Sequence, residues 1–307
     1  MKFPALLLIG LLVNFKLPAQ GKDSTVQAGT HIVTLSEVLV NTGLNVNTFI
    51  NRIKEDSSFY KAFKNLRLLG FTSINDIRML TADGGLAASL HSKTRQIRKD
   101  GCRSMTVLEE STTGSFYDAN GGYDWYTAAM YASLFFTKDT VCGETNIIGN
   151  NQLTTSDKKG MEKHKAQLKM LFFNPGKRIT GLPFMSSKTE IFGDDLAPYY
   201  DMDISLDLYN NHTCYVLHQK VKPGYEDDVV MDEMTTWFND STYEVEGRNY
   251  SLSYAAAVYD FKVSMEVKMT RFNGMTVPSL IRYNGNWKAI FKKRERGVFT
   301  ATLFDFE

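Results

Sequence analysis

The chain has 307 residues, 43% of them hydrophobic and 22% charged, which is enough for one large core or two modest ones. Lys and Arg number 35 against 34 Asp and Glu, so no net field draws nucleic acid to the protein. Aromatic residues make up 12%, a bias that suits β-rich exported proteins and large aromatic cores alike.

The first segment is an address. Lys2, the apolar run Ala5–Val13 and the small residues Ala19 and Gly21 predict a signal peptide over residues 1–21. That run is too short to span a bilayer, is broken by Asn14 and Lys16, and is not followed by a cysteine that would take a lipid. No later stretch has the length of a transmembrane helix. The expected product is exported, to the periplasm or outside the cell, or lies peripherally on the outer membrane. Residues 22–44 read as a flexible N-terminus with a short strand over Ile32–Val40. Residues 45–307 read as a single α+β domain, with helices and a meander over 45–175 and an antiparallel sheet over 199–307.

From Asn45 the spacing of Phe49, Ile50 and Ile53, then of Phe59, Phe63, Leu66 and Leu69, predicts two short helices parted near Asp56 and Ser57. Asn47 is placed to cap the first and Gly70 to end the second. Strands over Thr72–Thr81, Leu86–Lys99 and Cys102–Ser111 follow, parted by Asp83-Gly84 and Asp100-Gly101 turns. The middle strand carries His91, Lys93, Arg95, Arg98 and Lys99, either a basic stripe for an anionic surface or the wet face of an edge strand. In Phe116–Tyr126, the residues Asp118, Asn120, Gly122 and Asp124 alternate as in a calcium loop. Ala129 stands where the bidentate Glu belongs, so a hairpin turn is the expectation. Trp125 to Phe136 is apolar on all sides, which predicts a buried helix. Thr137–Gln152 reads as loop, Lys158–Phe173 as a basic amphipathic helix stopped by Asn174-Pro175-Gly176, and 175–198 as a linking loop.

The last third is the clearest pattern. Phe261, Val263, Met265, Val267 and Met269 alternate with Lys262, Ser264, Glu266, Lys268 and Thr270, so one face of that strand is buried and the other wet. Tyr200–Leu208, Cys214–Val221, Val229–Phe238, Thr242–Ser253, Val277–Tyr283, Trp287–Lys293 and Val298–Phe306 complete the set. Asn273-Gly274 and Asn284-Gly285 read as hairpin turns.

Catalytic signatures are missing: there is no Gly-x-Ser-x-Gly elbow, no His-Glu-x-x-His, no phosphate loop and no dinucleotide fingerprint. His212, Cys214 and His218 share one face of a strand, but no carboxylate adjoins them in sequence, and neither a metal nor a cofactor is expected. Asp201, Asp203 and Asp207 read as solvated acids on a wet face. Cys102 and Cys142 are placed to pair, or all three cysteines, Cys214 included, are small buried side chains.

The segment Val229-Val-Met-Asp-Glu-Met-Thr-Thr-Trp-Phe-Asn-Asp-Ser-Thr-Tyr-Glu-Val-Glu-Gly-Arg248 resembles a strand–turn–strand of LolA/LolB-like lipoprotein carriers. There an aromatic and an acidic residue precede a Thr-containing turn and a basic residue ends the return strand. The resemblance covers about residues 199–250, in a chain that otherwise looks like an uncharacterised family of exported bacterial proteins. It implies an open half-barrel: a large curved antiparallel sheet covered by a few helices, with acyl chains held against its concave face. Export, aromatic-rich strands and an apolar helix available to line a pocket make the expected function non-enzymatic binding of a lipid or acyl chain, with Trp125, Tyr126, Phe136, Phe261, Val263, Met265 and Val267 either as ligand-binding residues or as packed core. Two alternatives stand beside it: an interaction module for an envelope protein or glycan, and a hydrolase using Asp201, Asp203 or Asp232.

Overall fold

The computed structural model describes residues 23–42, 44–148, 169–179, 185–256, 259–289 and 293–307. The expected signal peptide and the start of the expected basic helix lie outside the described residues, which take that helix up only at residues 169–173.

One sheet organises the molecule. Its thirteen strands among the described residues are β1 (Ser24–Ala28), β2 (His31–Leu35), β3 (Phe71–Leu80), β4 (Leu86–Lys99), β5 (Cys102–Thr113), β6 (Val141–Cys142), β7 (Tyr200–Tyr209), β8 (His212–Val221), β9 (Met231–Asn239), β10 (Val245–Ala255), β11 (Tyr259–Phe272), β12 (Met275–Ala289) and β13 (Glu295–Phe304). Their spatial order is β1-β2-β7-β8-β9-β10-β11-β12-β13-β3-β4-β5-β6, an open sheet with β1 and β6 at its ends. All pairings are antiparallel except β2 with β7. The expected α+β class with a large, open, mostly antiparallel sheet and few helices is the observed one.

Alternation decides the two faces. Phe261, Val263, Met265, Val267 and Met269 all point into the core, as their period of two requires. α1 (Glu37–Thr42), α2 (Val46–Glu55), α3 (Ser58–Leu66) and α4 (Tyr126–Phe135) supply the rest of that core through Leu39, Phe49, Ile50, Phe59, Phe63 and Tyr131. The outer face is polar, and the register makes it continuous. Asp203, His218, Thr235, Asn249, Glu266, Arg282, Thr300, Asp76 and His91 stand opposite one another in turn from β7 to β4, an unbroken polar row.

Four local expectations change. The strand read over Ile32–Val40 stops at Leu35, and Ser36, followed by the acidic Glu37, starts α1 instead. The cap of α2 is Asn45, whose side chain accepts from the Thr48 amide at 3.0 Å, rather than Asn47, which lies inside the first turn. β4 is no edge strand: it is paired along its length by β3 and by β5, and two of its basic side chains, Lys93 and Arg95, meet Glu109 and Glu307. Asn284-Gly285 is no hairpin, because β12 runs straight through it with Gly285 opposite Val263 and Gly297. The reason is Tyr283, whose ring lies over the Gly285 backbone where a Cβ would be only 1.9 Å from its hydroxyl. Glycine here gives an aromatic ring room along the strand instead of turning the chain.

Candidate functional site

The site grows from α4. Its N-terminus lacks a side-chain cap of its own, since Trp125 occupies the cap position. Glu295, the first residue of β13, supplies one from across the fold. Its carboxylate accepts from the amides of Tyr126 (2.9 Å) and Thr127 (2.7 Å) and from the Thr127 hydroxyl (2.6 Å). Trp287 Nε1 in turn donates to the Thr127 hydroxyl at 2.7 Å. One turn further on, the Tyr131 hydroxyl donates to Asn75 Oδ1 at 2.9 Å. The chain leaving α4 is anchored again, by Thr137 donating to Gln96 and by Arg103 bridging Thr137 and Glu144. A disulfide joins Cys102 to Cys142 beside this anchor, while Cys214 is a free, buried thiol that burial pushes up to about 11.

Between these polar fixtures the helix is apolar, and it is incompletely buried. Met130, Leu134 and Phe135 are only half-buried, unlike the fully covered helix that its composition predicts. They roof a cavity of about 40 Å³. Its floor comes from Leu252 on β10, Phe261, Val263 and Met265 on β11, Tyr283 and Trp287 on β12, and Phe299 on β13, and Leu171 and Phe172 close one side. Tyr283 stacks flat on Phe299, with centroids 4.6 Å apart. The Tyr250 hydroxyl donates to the carbonyl of Phe172 and fixes residues 169–173 above the sheet.

Of the residues expected to bind ligand, the fold brings Phe261, Val263 and Met265 together on one wall of this cavity. Tyr126 lies beside it, 5.0 Å from the Trp287 ring. Phe136 meets Tyr131 edge-on, and Trp125 points away, donating to the carbonyl of Ser115 at 2.9 Å. Val267 is fully buried one pair further along β11, outside the lining. Leu252, Tyr283, Trp287 and Phe299 were not anticipated. Reading a turn at Asn284-Gly285 splits β12 and hides the fact that Tyr283 and Trp287 share a face.

The remaining candidates lie elsewhere. His218, on the outer face, is flanked by the carboxylates that sequence adjacency failed to reveal: Asp203 Oδ2 is 2.8 Å from Nδ1 and Glu233 Oε1 is 2.7 Å from Nε2. The bond to Asp203, then that to Glu233, overcomes burial and raises the imidazole to about 9. Among the described residues no group of three His, Cys, Asp or Glu side chains is arranged to hold a metal ion. Asp118 accepts from the amides of Asn120 and Gly122, both at 2.8 Å, and so closes the turn that resembled a calcium loop. The three proposed catalytic acids are each engaged: Asp201 with Lys222, Asp203 with His218 and Asp232 with Ser253. A wider groove of about 520 Å³ crosses the outer face past Glu233, Asn249, Glu266 and Arg282, but it is open and lies along the polar row. The cavity under α4 is the better site because its lining is almost wholly apolar and comes from two layers, helix and sheet, whereas the outer groove is a polar trough.

No family model matches the chain, and no curated protein does. Solved structures similar to it include a DUF1329 family protein from Desulfovibrio piger, at 10% identity and a TM-score of 0.27 over 83% of this chain and 92% of that one. Another is a putative outer membrane lipoprotein-sorting protein domain from Vibrio parahaemolyticus, at 7% identity and a TM-score of 0.26 over 84% and 90% of the two chains.

Proposed function

We propose that the protein is exported and holds an apolar ligand, a lipid or acyl chain, between α4 and the inner face of β10–β13. The observation that carries this reading is an apolar helix left half-buried over an apolar cavity, with its polar anchors gathered at its N-terminus and at Tyr131. A space of about 40 Å³ takes a few waters or a methyl-sized group. An acyl chain therefore enters by lifting Met130, Leu134 and Phe135 off Phe261, Val263 and Met265. Val267, Tyr126, Phe136 and Trp125 extend the apolar surface around that opening. Export is supported by the N-terminal apolar run and by the Cys102–Cys142 disulfide, which suits an oxidising compartment. The resemblance of Val229–Arg248 to LolA/LolB-like carriers points to the same class of ligand.

The test is binding by the intact chain. Protein purified from its own host should release lipid on solvent extraction, and the emptied protein should bind a fluorescent fatty-acid probe. Leu134→Arg, on the half-exposed roof, should weaken that binding by about tenfold or more, through a charge set against apolar surface. Empty protein that takes up no probe would overturn the proposal.

A further inference from the structure

On β10 the inward row runs Leu252, Tyr250, Arg248, so Arg248 lies about 13 Å along the strand from the cavity wall at Leu252. It is a core position: Arg248 is 6% exposed, flanked by Thr236 and Val267 on the adjoining strands. Its Nε donates to the Thr236 hydroxyl at 2.9 Å, and the guanidinium carbon sits 4.4 Å over the Phe59 ring. Among the described residues, that bond to Thr236 is its one side-chain hydrogen bond, no carboxylate pairs with it, and neither Nη is a sealed donor without a partner. A second cation is close by. Gly176, in the left-handed region at φ +83° and packed on Ile191 and Met234, turns the chain so that Lys177 reaches the last turn of α2. Lys177 Nζ donates to the carbonyls of Ile53 and Lys54, the negative end of that helix.

Burial is the first cause of a downward shift in both side chains, and Arg248 still stands at about 10, so it is charged at neutral pH. Asp56 is the carboxylate that favours both charges most, yet it pairs with neither. Its Oδ1 accepts from the Ser58 amide at 3.1 Å at the start of α3. With Nε committed to Thr236, the two Nη groups are left to meet a ligand, and their forked donors fit carboxylate and phosphate oxygens.

We propose that Arg248, with Lys177 beside it, is an anion site within the sheet, taking a carboxylate or phosphate group. That group is either a small free ion or the headgroup of the acyl ligand, and the headgroup form rests on the function proposed above. In that form the ligand's tail lies under α4 and its head at Arg248, with Tyr250 and its bond to Phe172 between them.

The experiment uses the full mature chain and five probes: dodecanoate, dodecyl phosphate, uncharged dodecanol, sodium acetate and sodium phosphate. Binding is read by calorimetry and by thermal shift, for the wild type and for Arg248→Met and Lys177→Gln. Arg248→Met keeps length and removes the buried charge, and Lys177→Gln lies outside the sheet, so at least one variant is expected to fold. The expected result is that the charged twelve-carbon probes bind the wild type about tenfold or more tighter than dodecanol, the worth of a hydrogen-bonded charge, and that the preference falls in both variants. Stabilisation by phosphate or acetate that is lost in Arg248→Met, with no binding of any twelve-carbon probe, would assign the site to a free ion and sink the acyl-ligand proposal alone. Equal binding of dodecanoate and dodecanol, with no effect of the small anions, would overturn the anion site and leave the apolar cavity standing. Failure of all five probes would overturn both.

Discussion

Single residues set two sharp tests. A Cβ at position 285 would collide with the Tyr283 ring, and that ring cannot yield because it is stacked on Phe299 inside the core. Gly285→Ala should therefore cost about 1–3 kcal/mol in urea unfolding, the usual penalty of overpacking. Tyr283→Ala should remove most of that extra cost in a double-mutant cycle. His218 gives a dependence on pH. Its folded value, about 9, lies above the ordinary imidazole value of 6.5, so the Asp203–His218–Glu233 cluster stabilises fully below about pH 6.5 and its contribution is lost as pH rises through about 9. The two carboxylates are about half exposed, so solvent screens the cluster to roughly 1 kcal/mol. Melting curves from pH 6 to 10 should show wild type above His218→Gln at the acid end and level with it at the alkaline end. At this scale the sequence was only half legible. The inward direction of Phe261 to Met269 follows from alternation, whereas the partners of His218 come from two other strands and Arg248 offers no local sign of being buried.

Among the elements, α4 is tied to the sheet by a carboxylate borrowed from another strand. Glu295→Gln should weaken the first turn of α4 by about 1 kcal/mol, the typical worth of an N-terminal cap. Hydrogen exchange should show faster amides at Tyr126 and Thr127, with the α3 amides unchanged. Probe uptake by the proposed cavity should quicken in the same variant, since the cap holds the roof in place. The elements themselves were largely readable, because periodicity locates α2, α3, α4 and the long strands without tertiary knowledge. It fails where a residue has two uses. Glycine after asparagine usually turns a chain, and at Asn284-Gly285 it makes room for a ring. Val38 and Val40 continue a strand-like alternation, yet Ser36 and Glu37 had already begun a helix.

For the whole molecule, the decisive contact is β13 with β3, registered from Phe304 opposite Thr72 to Arg296 opposite Leu80. It welds the N-terminal meander to the C-terminal strands, and Gly70 and Glu307 finish the seam with reciprocal amide bonds of 2.9 Å. No local pattern announces such a pairing, since alternation tells which way a strand faces and not which strand lies beside it. Removing residues 295–307 uncovers both β12 and β3 and also takes away the cap of α4. The truncated chain should lose most of its soluble yield, and any soluble fraction should show unprotected β3 amides by hydrogen exchange.

That seam also has a consequence in time. The strands it joins are far apart in sequence, β3 at Phe71–Leu80 and β13 at Glu295–Phe304, so β3 is made well before its partner. Pairings this distant close slowly, because a long loop must be ordered before any contact rewards it. Until then β3 presents an unpaired edge to whatever it meets. Among the described residues β13 is the one strand between β12 and β3, so until it arrives the sheet exists as two unjoined parts, β3–β6 on one side and β1, β2 and β7–β12 on the other.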